Sequence, residues 1–193
     1  MQADVARDLS RSAKAFIDIV FPAVAPALGN GHLIPVESAT DSRLAHQLDA
    51  LAGIDAWHIN TDEGIRGIAS RVQVGPKDWR SFTIRYSRRS GAETEYGKRL
   101  RAIHGQPAQW IFPYLTVQAY LADWTGPLLS AAVARTSDII KCIENGWCSE
   151  QPNKDGNSIF KIIFWADMTK HGFRLFSAND GWLKHTAVKS VKP

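Results

Sequence analysis

At 193 residues, with 45% hydrophobic and 22% charged side chains, the chain has the size and composition of one globular domain that buries its core without disulfides or a structural metal. That excludes a disordered or low-complexity protein. The two cysteines, Cys142 and Cys148 at C-x5-C spacing, fit neither a disulfide framework nor a zinc knuckle, and are read as reduced thiols of a cytoplasmic protein. The net charge of +4 is mild, no run reaches the roughly 18 apolar residues of a membrane span, and the N-terminal MQADVARDLSRSAKAF has no signal core, so membrane insertion and secretion are both disfavoured.

Val5, Leu9, Ala13, Phe16 and Val20 recur at steps of three and four, which predicts a helix ending before Pro22. Pro22 to Gly31, with two prolines and Gly-Asn-Gly, reads as a loop, and a short extended piece around Leu33 and Pro35 ends near Glu37. Ser38 and Asp41 have the spacing of a capping box, so a helix burying Leu44, Leu48 and Leu51 should run to Gly53. In IDAWHIN, Asp55, Trp57 and Ile59 fall on one face of a strand and Ala56 and His58 on the other. A carboxylate sharing a face with Trp and Ile is unusual, and two readings stand: a ligand held at the edge of the core, or a turn or cap residue.

After a turn at Asn60 to Gly64, the next strand carries Ile68, Ser70, Val72 and Val74 on one face and Ala69, Arg71 and Gln73 on the other. SFTIRYS is expected to add a third strand to the same meander, with Phe82, Ile84 and Tyr86 inward. Ser90 and Glu93 repeat the capping spacing, and Tyr96, Leu100 and Ile103 mark a helix with Lys98, Arg99 and Arg101 on its outer side. Between Arg80 and His104 seven bases stand against two acids, which makes this the electropositive part of the chain. A break at Gly105 to Pro107 precedes a fourth strand, PYLTVQAYLAD. Pro127 to Asn145 reads as a helix stopped by Gly146, and Gln151 to Asn157 as a polar loop. IFKIIFWA reads as a strand covered on both faces, paired in a hairpin with FRLF, and the tail 184–193 as basic and frayed.

The pattern predicts one α/β (α+β) domain over 1–193, a central mixed sheet of five to six strands flanked by helices. A helix, three antiparallel strands, a helix and a further strand over 38–122 resemble the restriction-endonuclease-like core of the PD-(D/E)xK nuclease superfamily, with Asp55 of GIDAW at the place of the family's first Asp. The resemblance implies a divalent cation, Mg²⁺ or another, held by Asp55 and a second acid. The acid-x-Lys half would fall on Ala69-Ser70-Arg71 or Arg71-Val72-Gln73, which contain no carboxylate. Gln73 could offer an amide oxygen, Glu37 or Glu95 a second acid, and Arg71 could stand in the lysine's place to stabilise phosphate charge, though not as a base.

The resemblance implies phosphodiester hydrolysis of DNA or RNA, with Asp55, Arg71, Gln73 and Glu95 at the site and Arg85, Arg88, Arg89, Lys98, Arg99 and Arg101 tracking the backbone. Tyr86 and Tyr96 among those bases suit stacking. A non-catalytic module on the same scaffold, binding nucleic acid or a protein, is the alternative. The bland readings are a half-covered sheet for Arg71 and Gln73, a first-turn acid on its helix for Glu95, and a solvated face for the bases. The six histidines have no H-E-x-x-H spacing, and no Gly-rich phosphate loop or G-x-S-x-G elbow occurs, which disfavours zinc hydrolases, phosphate-loop enzymes and serine hydrolases. Of seven tryptophans, Trp79 and Trp147 fall in predicted turns, where exposure would mark a partner surface.

Overall fold

Strands occupy most of the chain in the computed structural model, which describes residues 10–36, 53–60, 64–104 and 112–183. Helix α1 spans 10–28 and does not stop before Pro22. A π segment at Phe16–Val20, where the Phe21 N–H bonds the Phe16 carbonyl, is followed directly by an α segment, Phe21–Leu28. Pro22 enters in the first turn of that second segment, where its missing N–H leaves no bond unmade, so the residues from Pro22 to Leu28 are helix and not loop. Phe16, Val20, Val24 and Leu28 form its buried stripe.

Seven strands make the larger sheet: β1 (His32–Pro35), β2 (Ala56–Asn60), β3 (Gly64–Val74), β5 (Pro113–Leu121), β6 (Leu128–Arg135), β9 (Leu175–Ser177) and β10 (Gly181–Leu183), hydrogen-bonded in that order. All neighbours are antiparallel except β3 and β5, which are parallel. The meander is thus β1, β2 and β3. SFTIRYS is strand β4 (Ser81–Arg88), but it leaves the meander to pair with β8 (Ser158–Phe164) in a second sheet of order β4-β8-β7, where β7 is Ser149–Pro152. The expected loop from Gln151 therefore begins within a strand.

Helix α2 (Glu95–His104) lies in the crossover from β3 to β5. Its cap is Thr94, whose Oγ1 accepts the Gly97 N–H at 3.4 Å and donates to the Tyr86 carbonyl, one residue beyond the expected Ser90–Glu93 box. The segment 127–145 is strand β6 and then helix α3 (Thr136–Glu144), not one helix. Its end is as expected: Gly146, at φ +73, and Trp147 donate to the Ile143 and Cys142 carbonyls in a Schellman closure. IFKIIFWA divides into β8 and helix α4 (Trp165–Lys170), and FRLF pairs through β9 with β6 and β10 instead of β8. Ile159 and Phe164 are exposed, so β8 is covered on one face only.

Side chains alternate across the large sheet, and the two faces carry separate cores. Ile68, Val72, Val117, Ala119, Leu121, Ala131 and Val133 pack against α1. On the opposite face Tyr120, Ala132, Ala134 and Leu175 meet Phe82 and Ile84 of β4, Ile163 of β8, and the apolar sides of α3 and α4. The whole is a mixed α/β domain, with a sheet wider than the five to six strands expected. The 38–52 helix, the hairpin tip at 61–63, the break near 105–107, the tail 184–193, Glu37 and Trp110 lie outside the described residues, as do Val5 and Leu9.

Candidate phosphate-binding site

Asp55 immediately precedes β2. The β2–β3 register, Ala56 opposite Ile68, sets Asp55 opposite Ala69 and so on the face of Arg71 and Gln73. The same register buries Ala56, His58 and Asn60, while Trp57 is half-buried and Ile59 exposed, which reverses the inner and outer faces expected for this strand. Asp55 Oδ2 accepts the Ser70 N–H at 2.5 Å, and its main chain bonds Ile68 and Val36, so the carboxylate fastens the start of β2 to β3.

On the parallel neighbour β5, Gln118 stands beside Arg71 in register and on its face. Arg71 reaches out of the sheet: Nη2 donates to Glu95 Oε1 at 2.7 Å, and Nη1 to Thr83 Oγ1 at 3.3 Å. The Gln118 Oε1 in turn accepts from the Thr83 N–H and Oγ1. The free edge of β4 is thereby tied to the face of the large sheet. The Arg71 and Arg85 guanidiniums lie 5.1 and 5.3 Å from the centroid of the Phe160 ring, within cation–π range.

Glu95 occupies the first turn of α2, where the macrodipole favours an acid. Burial opposes its ionisation, yet the positive charges of Arg71, Arg99 and Arg85 outweigh that cost and hold the carboxyl below its ordinary range. Arg99, four residues on, lies on the same side of α2 as Glu95 and is buried, 5% exposed, not on the outer side as expected. Burial lowers its pKa, and the attraction of Glu95 and Asp55 works against that. Burial likewise lowers that of Arg85, again opposed by Glu95.

Five of the predicted positions, Asp55, Arg71, Arg85, Glu95 and Arg99, are thus coupled in one place. Gln73 shares their face with no hydrogen bond shown among the described residues. Arg88 and Arg89 are exposed at the far end of β4, Lys98 is half-buried, and exposed Arg101 is held by Glu93 at 2.9 and 3.0 Å. Tyr86 and Tyr96 lie against each other, ring centroids 4.9 Å apart, with Lys161 over Tyr86. Thr83, Gln118 and Phe160 were not singled out from the sequence, although a lone Gln amid PYLTVQAYL was a legible sign of a buried polar contact.

The carboxylates present do not make a magnesium site. Among the described residues no three His, Cys, Asp or Glu side chains converge as metal ligands, the Asp55 and Glu95 oxygens already accept from Ser70 and Arg71, and the guanidiniums beside them oppose a cation. Cys142 and Cys148 are both free thiols, as expected, and burial pushes Cys142 up to about 12, so it stays protonated and unreactive. Trp147 is not an exposed turn residue but stacks on His171 at 3.8 Å; Trp79 is half exposed beneath Lys77. No helix among the described residues is long and apolar enough to cross a membrane. Comparison with protein-family models, curated proteins and solved structures gives no match.

Proposed function

We propose that the protein binds nucleic acid through backbone phosphates, as a nuclease-like module that does not cleave. The observation that carries this reading is the grouping of Arg71, Arg85 and Arg99 around the single carboxylate of Glu95, with Arg88 and Arg89 exposed farther along β4. Guanidiniums match phosphate oxygens in fork geometry, and the order α1, β1-β2-β3, α2, β5 supports the nuclease-like expectation with its strands moved one place earlier. Binding of a labelled single strand should weaken with salt, log K falling against log[salt] with a slope of about −0.7 for each phosphate neutralised. Replacing Arg88 and Arg89 by Ala should flatten that slope by about one unit. Affinity that ignores ionic strength removes the reading.

Metal-dependent cleavage is the second reading, favoured by the position of Asp55 on the face of Arg71 and Gln73. It requires Glu37 or another acid to join Asp55 around Mg²⁺ or a similar ion. Turnover in Mg²⁺ or Mn²⁺ that vanishes in Asp55→Ala supports it; turnover that survives, or none in either metal, ends it. Because Asp55 also fastens β2 to β3, that variant should lose about 1 kcal/mol of stability instead of melting as the parent does. Its melting curve must therefore accompany the assay.

A further inference from the structure

Around Glu95, positive charge exceeds negative. Three guanidiniums, those of Arg71, Arg85 and Arg99, interact with two carboxylates, Glu95 and Asp55, which leaves one positive charge over. The donors are also in excess. Arg99 is 5% exposed and Gln118 1%, yet Arg99 Nε and Nη1, Gln118 Nε2 and Arg85 Nε have no hydrogen-bond partner among the described residues. The Gln118 oxygen is occupied by Thr83, so its amide N–H₂ is the half left over.

Buried N–H groups without acceptors are costly, and native proteins leave few of them. Every unmet group here is a donor, so what completes the cluster is an acceptor carrying negative charge. We infer that the Arg71, Arg85, Arg99 and Gln118 cluster is an oxyanion site that takes a nucleic-acid phosphodiester. This inference rests on the proposed function and names the group that the function recognises. A diester has one negative charge, the amount that neutralises the cluster, whereas a monoester dianion exceeds it. Arg71, Arg85 and the Phe160 ring, all partly exposed, form the approach, and Arg99 backs it from α2. Glu95, held on Arg71, competes with the incoming phosphate as an internal counter-ion.

The test is anisotropy of a short labelled single strand and thermal shift with inorganic phosphate, on the parent protein, Arg85→Gln and Glu95→Gln, each checked for its fold by circular dichroism. Arg85→Gln should weaken strand binding about tenfold, since it removes a charge-assisted donor. Glu95→Gln should tighten it several-fold, because the competitor loses its charge, and this gain of affinity cannot come from a damaged fold. If both variants bind the strand as the parent does, the oxyanion site is refuted while the proposed function stands on Arg88 and Arg89. If the parent binds no strand but is stabilised by inorganic phosphate in a way that Arg85→Gln abolishes, the proposed function and the diester assignment both fall, and the site is one for free phosphate.

Discussion

Glu95 shows how one side chain takes its character from its neighbours. Its environment pulls two ways: burial disfavours the carboxylate, and three guanidiniums favour it more strongly. The folded-state pKa therefore lies below the unfolded value of about 4.3. A depressed carboxyl stabilises the fold above that unfolded value and loses its contribution as the pH falls through the folded one. Glu95→Gln should accordingly be less stable than the parent by about 1–2 kcal/mol at pH 7, and the difference should shrink as melts are taken from pH 5 towards pH 3. A gap that stays constant across that range would mean that the Arg71 contact contributes nothing through charge. The sequence pointed to Glu95 as a first-turn acid and as a spare ligand, and the first of these describes where it sits. Its bond to Arg71 joins residues 24 positions apart and depends on β4 leaving the meander, which no local pattern encodes.

Elements with a strong period or a strong cap were legible, and those decided by neighbours were not. β2, β3, β4, β5 and α2 fall where alternation or a stripe placed them, and Gly146 closes α3 as expected. LLSAAVAR was taken for helix because Leu and Ala are good helix formers. It is strand β6 because it lies between β5 and β9 with its middle residues buried on both faces, so no alternation survives to announce it. The same cause hid the second sheet: β4 and β8 each show ordinary strand character, and their pairing spans more than 70 residues. Thr94 offers a test at this scale. It caps α2 and also bonds Tyr86, so Thr94→Ala should cost about 1 kcal/mol and, by loosening the first turn, displace Glu95 from Arg71. Thermal unfolding measures the first effect and the acid-limb experiment on Glu95 the second; an unchanged melting temperature would assign the cap to Ser90 after all.

The molecule holds two apolar cores on opposite faces of one sheet, and its cooperativity depends on what crosses between the layers. α1 closes one core against β3, β5 and β6, and the small sheet with α3 and α4 closes the other. Polar ties link β5 to the free edge of β4 two residues apart: Gln118 with Thr83, and Tyr120, whose hydroxyl donates to the Ser81 carbonyl at 2.9 Å and meets Ser81 Oγ. The first tie belongs to the phosphate-binding cluster and the second to the core, so the site sits on the joint that aligns the layers. Tyr120→Phe keeps the ring and removes only the hydroxyl, leaving buried Ser81 short of its partner. Its cost should be about 1–3 kcal/mol, seen in urea as a lower midpoint at unchanged m-value. Because β5 and β6 contribute to both cores, the midpoint should fall equally by tryptophan fluorescence, with Trp124 against one core and Trp165 in the other, and by far-ultraviolet circular dichroism. Transitions that separate in the variant would show that each layer unfolds on its own, and that the Tyr120 hydroxyl is what couples the arginine cluster to the rest of the fold.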